Sequence, residues 1–450
     1  PLELAPGETR TLRFAYGATH VETIHGLVEK YRTAVDPLGA SAAAWTEWLP
    51  KASFPATGAW LARELQWSAY TVRSGATFEE ECGEHILSQG GYYQYDSGLQ
   101  IAVRDPLQHV LPMIYAAPGL AREVIRYSAA LQTNEVGNLP YGVLHLCRAI
   151  DVETSNDIAF WLLLSATEYA LATRDLGFFD EIVRFTDFGE APLWEHLKIA
   201  HRNQEVVIGR GPHGGYRTGL FGDWSDFSTE FMQMTESMLV TAQLAFAYPR
   251  LAEVAAMRGD DAFAAVLRED AAELAATLGA EWTGLGWFSR GYSGATQLGR
   301  GAIYLEPQPW ALLAGAAIPE RAATLVANVR RFLTGVGAPP ELEGPARIGS
   351  AQSPAFADPD VTERTVGTGF LTRPNDPGSV HPGVGALNSG SNNAVWVGGV
   401  WYALNGPLVW ALGTLDDLLP SARAYAWDEL LRNTLAAHAS AFPNHWDGVI

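Results

Sequence analysis

The sequence predicts an all-α chain whose helices close into a double ring. Apolar residues recur at helical spacing through most of residues 57–438. No fixed-period repeat marks an open solenoid. Long connections rich in Gly and aromatics interrupt the helices, at 83–105, 208–228, 281–307 and 339–393. Loops of that length usually carry function, and a closed double ring gathers them at one end.

Taken in order, Pro6-Gly7-Glu8 is a turn signal, and Thr9 to Gly17 then alternates as a strand does. One strand cannot form a sheet alone. The reading is therefore the end of a sheet domain, or a strand that pairs outside this segment. Residues 1–20 form this terminal piece, 21–55 a linker and 56–450 the helical domain. Helical spacing follows in 57–73, 106–116, 119–131, 156–174, 229–248, 260–279, 308–316, 319–336, 394–413 and 416–438. Ser155 and Asn156 read as caps of one helix, and Ser228 as the cap of another.

Composition narrows the function. The chain has 450 residues, 48% hydrophobic and 18% charged, with 15 Trp, 16 Tyr and 18 Phe. That excludes a disordered chain. Two cysteines, Cys82 and Cys147, exclude a disulfide scaffold and read as reduced or buried. No apolar run is long enough for a membrane span. The net charge of −20 repels nucleic acid. Pro1 opens a polar, acidic segment without a signal-peptide pattern, so a cytoplasmic location is expected of a processed or truncated chain. The 11 His are scattered without ligand spacing, and GxSxG, HExxH, CxxC and Walker-type motifs are missing. No metal or cofactor is expected.

Four loop segments set polar groups beside aromatics. The first runs from Gly90-Gly91-Tyr92-Tyr93-Gln94-Tyr95-Asp96 to Arg104-Asp105-Pro106-Leu107-Gln108. Asp105 reads as a helix N-cap, as a carboxyl at a pocket mouth, or as both. The second is Gly222-Asp223-Trp224-Ser225-Asp226. A Trp face stacks on a pyranose while carboxylates accept from its hydroxyls; the same acids also suit a helix N-terminus. The third is Glu306-Pro307-Gln308-Pro309-Trp310. Its apolar setting can raise or aim a carboxyl, and it also reads as a simple helix start. The fourth, Asn388 to Asn393, offers backbone N–H groups to an anion or caps a helix.

These motifs, with Trp287-Phe288-Ser289-Arg290-Gly291-Tyr292 and Ala441-Phe442-Pro443-Asn444-His445-Trp446, occur in the order found in glycoside hydrolase family 94, which the chain resembles over nearly its whole length. That family holds the cellobiose and related β-glucoside phosphorylases. The resemblance implies an (α/α)6 barrel preceded by a β-sandwich and a helical linker, and a homodimer. It implies Asp105 as general acid within Arg-Asp-x-x-Gln. Asp223, Trp224 and Asp226 would line the sugar site, with Ser225 in place of Asn. Tyr93, Gln94, Arg104, Gln308 and Trp310 join the substrate-binding set. Three phosphate-binding features are altered. Gln89 stands at an Arg position, Glu306 at a His position, and Ser391-Asn392-Asn393 replaces a Thr-Gly pair.

A carboxylate repels phosphate at close range and suits activation of water. The first reading is thus an inverting hydrolase of a β-linked glucoside or oligosaccharide, with Asp105 as acid and Glu306 as base. The alternative is a phosphorylase, or a transglycosylase like that of cyclic β-1,2-glucan synthases. A third is a non-catalytic sugar-binding barrel.

Overall fold

The computed structural model describes residues 3–12, 14, 19–54, 59–80, 83–87, 101–144, 148–149, 156–219, 222–225, 229, 233–333, 355–356 and 402–434. Helices dominate. One series packs in chain order, each helix against the next: α4 (Arg104–Ala116), α6 (Ile158–Thr173), α8 (Met238–Met257), α10 (Pro307–Leu313) and α12 (Tyr402–Thr414). A second series covers the first from outside. α5 (Pro118–Ala130) lies on α4 and α6, α7 (Leu193–Arg202) on α6, α9 (Asp261–Ala280) on α8, and α13 (Pro420–Arg432) on α12. At the chain's other end, α3 (Ala59–Ser74) packs on α4. Its Trp60 meets Trp427 of α13 with ring centroids 6.2 Å apart. The helix that precedes both series therefore touches the last helix of the outer one.

Burial separates the two layers. In α6 the run Phe160-Trp161-Leu162-Leu163-Leu164 is buried on every side, and α8 is buried from Met238 to Tyr248. A helix apolar all round must sit between others. α9 buries one stripe, Ala264, Leu267, Ala271, Leu274 and Leu278, and shows its other face to water. Ser237 caps α8 by accepting from the Val240 amide, and Asp260 caps α9 by accepting from that of Phe263. α11 (Pro319–Leu333) also follows the helical spacing.

Short strands lie between the helices and fix the loops. β8 (Tyr216–Arg217), β9 (Glu236–Ser237), β10 (Gly291–Ser293) and β11 (Thr296–Leu298) form an antiparallel sheet in the order β11-β10-β9-β8. β3 (Ile101–Ala102), next to α4, pairs with β4 (Gly142–Leu144), which pairs with β5 (Arg148–Ala149). β12 (Ala302–Ile303), shortly before α10, pairs with β13 (Ala355–Phe356). The hairpins β1 (Ala76–Glu79) with β2 (Glu84–Leu87), and β6 (Ile182–Arg184) with β7 (Glu190–Pro192), complete the described strands.

Some expectations need correction. The helix expected over 229–248 is interrupted: Thr229 is helical, residues 233–235 are not, and α8 begins at Met238 because Glu236 and Ser237 are held as β9 between β8 and β10. Its true cap is Ser237, and Ser228 lies outside the described residues. The helix after Asn156 starts at Ile158, and Asp157 at its N-cap makes no capping bond. α7 was not expected, nor was the π-helical turn Asn203–Ile208 that continues it. Asp105 is not an N-cap but the second residue of α4, where an acid still favours the helix dipole. The linker holds two helices, α1 (Val21–Thr33) and α2 (Pro37–Trp48), neither with a buried residue. Thr9 to Leu12 and Phe14 are exposed and lie in no strand. Cys82 and Cys147 lie outside the described residues. No helix among the described residues is long and apolar enough to cross a membrane.

Candidate active site

The candidate acid sits where β3 turns into α4. Asp105 is partly enclosed, and its pKa is pushed up to about 6. Desolvation is the chief cause; Asp157 adds repulsion, and Arg104 works against both. Arg104 is itself buried and donates from Nη2 to Asp157 Oδ1 at 2.8 Å and to the Asp223 carbonyl at 3.2 Å. The indole N–H of Trp161 donates to Asp157 Oδ2 at 3.0 Å. Asp157 is fully buried, and desolvation raises its pKa against the pull of Arg104. Three groups thus meet at the foot of α4: a carboxyl that is half protonated at about pH 6, a guanidinium that holds the backbone of the next loop, and a carboxylate that anchors the guanidinium.

The second group lies across that backbone contact. Asp223 receives both terminal nitrogens of Arg290, Nη1 to Oδ2 at 2.6 Å and Nη2 to Oδ1 at 2.8 Å. It also accepts from Ser237 Oγ at 2.5 Å and from the Ser225 amide at 3.0 Å. Burial alone would raise its pKa, but the Arg290 charge and these hydrogen bonds outweigh burial and lower it. Arg290 stays charged for the same reason. Its Nε stands 4.0 Å from Glu306 Oε1, and Ser225 Oγ donates to that same oxygen at 3.3 Å. Asp223, Arg290 and Glu306 are all fully buried. Buried charges survive only in such pairs, so the acids at 223 and 306 are joined through one arginine.

The structure brings together Arg104, Asp105, Asp223 and Glu306 of the expected set. It gives Gln308 and Trp310 core tasks instead. The Gln308 amide donates to the carbonyls of Phe288 at 2.9 Å and Tyr304 at 2.8 Å, and accepts from the Phe288 amide at 3.0 Å. Trp310 is 2% exposed, edge-on to Phe160 and Trp161 at 5.3 and 6.0 Å. Neither leaves a face for a sugar. Trp287 is likewise buried, its indole N–H bonded to the Gly299 carbonyl at 2.8 Å. Trp224 is partly buried against the core. Tyr93, Gln94, Asp226 and Asn388 to Asn393 lie outside the described residues. Sequence reasoning passed over Asp157, Ser237 and the role of Arg290. Arg290 stood inside a quoted motif, but nothing local says which carboxylate it serves.

Among the described residues one cluster has metal-ligand composition, His201, Glu205 and Asp270. Arg210 already bridges two of its acids, at 2.9 Å from Glu205 and 3.6 Å from Asp270. Tyr248 OH donates to Glu205 at 2.7 Å, as does Tyr216 OH. The guanidinium occupies the cation's place, so the cluster ties α7, α8 and α9 together.

A carboxyl with a raised pKa beside one buried ion pair, joined through Arg104 to the backbone of a second, is the geometry these loops build. Residues 85–346 match the catalytic domain of the glycosyl hydrolase 94 superfamily, more than half of the chain. The chain belongs to that superfamily. Its helical body is accordingly the (α/α)6 barrel that the sequence predicted, and the chain is of a carbohydrate-active enzyme type. It is 29% identical over 281 residues to the solabiose phosphorylase of Paenibacillus borealis, covering 60% of this chain and 33% of that protein. It is 27% identical over 256 residues to the N,N'-diacetylchitobiose phosphorylase of Vibrio proteolyticus, covering 54% and 29%. The matched part thus spans about a third of each of these relatives. Among solved structures, the cellobiose 2-epimerase of Spirochaeta thermophila superposes with a TM-score of 0.47 at 12% identity, covering 88% of this chain and 89% of that one.

Proposed function

We propose that the chain carries the catalytic barrel of an inverting glycoside phosphorylase acting on a β-linked oligosaccharide. The observation that carries the reading is Asp105, a carboxyl kept protonated to about pH 6 at the start of α4. Phosphate as the acceptor rests on the relatives, which are phosphorylases. Asp105 gives its proton to the glycosidic oxygen as the bond to C1 breaks. Asp157 and Arg104 hold the loop carrying Asp223, Trp224 and Ser225 in place. Trp224 and Asp226, with Tyr93 and Gln94, contact the sugar. Residues 1–20 and 21–55 are the end of a sandwich and a linker, ahead of the barrel.

Water is the second reading, and Glu306 favours it. A carboxylate stands where the family resemblance places a phosphate-binding His. It suits a base that takes a proton from water on the face opposite Asp105. The two readings separate in one experiment. A panel of gluco-oligosaccharides is incubated with and without inorganic phosphate, and products are followed by NMR. Sugar 1-phosphate formed only with phosphate supports phosphorolysis. Free sugar of inverted configuration formed without it establishes hydrolysis. No product in either condition sinks both.

A further inference from the structure

The Nε–H of Arg290 is buried and has no hydrogen-bond partner among the described residues. Such a donor is costly to leave unpaired. Its two Nη groups are taken end-on by Asp223, which leaves the Nε side of the guanidinium facing Glu306. The 4.0 Å between Arg290 Nε and Glu306 Oε1 is too long for a direct hydrogen bond. It is the right length for one oxygen between them, with two legs of about 2.8 Å meeting near a right angle. Ser225 Oγ reaches the same Glu306 oxygen from the sugar-site loop.

We propose that this gap between Arg290 and Glu306 seats the acceptor oxygen, and that Arg290 is a further catalytic residue. The inference rests on the glycosyl-transfer reading above. Arg290 donates to the oxygen that attacks C1, and Glu306 accepts from the acceptor's O–H. With water, the new bond is C1–O(water), the bond broken is C1 to the leaving oxygen, one water proton passes to Glu306, and the Asp105 proton passes to the leaving oxygen. With hydrogen phosphate, an anionic oxygen makes the bond, and the remaining P–OH donates to Glu306. The buried ion pair to Asp223 fixes the guanidinium plane, so the donor does not reorganise as the bond forms.

Azide tests this, because it is an anionic nucleophile that needs no base. The donor is a dinitrophenyl β-glycoside of the sugar released in the panel above, whose leaving group needs no acid. Glu306→Gln is expected to lose turnover with water, which needs the base, and to regain it with sodium azide, giving the inverted glycosyl azide. Adding Arg290→Lys should raise the azide concentration needed by about tenfold or more, through loss of one charge-assisted hydrogen bond. Circular dichroism checks that each variant is folded. Equal rescue of the single and double variants overturns the proposal. Should the double variant not fold, Arg290→Lys in the otherwise unchanged chain decides: turnover lowered about tenfold or more supports the proposal, and turnover equal to wild type overturns it. A wild-type protein that transfers to neither water nor phosphate overturns the underlying reading as well.

Discussion

At the scale of single residues, Asp105 combines a task with a cost. Its pKa is pushed up from 3.8 to about 6, so the folded state keeps a proton that the unfolded chain gives up between those values. Stability therefore falls as pH rises from about 4 to about 6, and stays lower above that. Asp105→Asn removes the penalty. The variant should be more stable than wild type at pH 7, by up to about 2–3 kcal/mol, with the gain vanishing near pH 4. Denaturant titrations at the two pH values check it; an equal effect at both would refute the burial argument. The same variant should lose about a hundredfold to ten-thousandfold in turnover on substrates with poor leaving groups. Wild-type turnover should decline on the alkaline side with an apparent pKa near 6. Asp223→Asn acts differently, since it strands the buried Arg290 charge. It should cost about 3–5 kcal/mol, whereas combining Asp223→Asn with Arg290→Met and Glu306→Gln, which removes all three charges, should recover much of that. Denaturant titrations of the single and triple variants check the recovery.

The acids were legible because Asp, Glu and Trp crowd together in the loops. Their partners were not. Arg104 and Asp157 are 53 positions apart, and Arg290 and Asp223 are 67. A pairing made through space leaves no local trace. The aromatic motifs misled in the other direction: Trp310 and Gln308 lie beside Glu306 in sequence, yet their side chains turn into the core.

At the scale of elements, Ser237 joins a helix to the site. Its hydroxyl caps α8 and also donates to Asp223 at 2.5 Å. A cap alone is worth about 1 kcal/mol. Ser237→Ala should cost more, about 2–3 kcal/mol, because it also leaves a lone pair of a buried carboxylate unmet. Thermal melts compared with Asp36→Ala, which removes the side-chain cap of α2, would show the excess. This joint also explains where periodicity misplaced an end. Residues 229–248 carry helix-compatible spacing, but pairing of Glu236 and Ser237 with both neighbouring strands breaks the helix before Met238. Spacing located most helices; it could not see the two-residue strands that set their starts. α7 was missed although Leu193, Leu197 and Ala200 fall on one face, because ten residues hold too few repeats to stand out.

At the scale of the whole molecule, the layered helices follow from burial on all sides for α6 and α8 and on one stripe for α9. α3 and α13 meet through Trp60 and Trp427. A double-mutant cycle with Ala at both positions should give a coupling of about 0.5–1.5 kcal/mol. Additive effects would show that the ring is held shut elsewhere. The ring itself was legible from alternating loop lengths, but the contact that joins its ends was not.

That contact has a consequence for how the protein is made. A ribosome adds about 5–20 residues each second, so Trp60 emerges tens of seconds before Trp427 exists. Through that interval the nascent chain carries an open arc of helices whose leading edge has nothing to lean on. Ring closure has to wait until Trp427 has been made. Slowing translation between residues 60 and 427 should lengthen the time for which a chaperone can hold that edge.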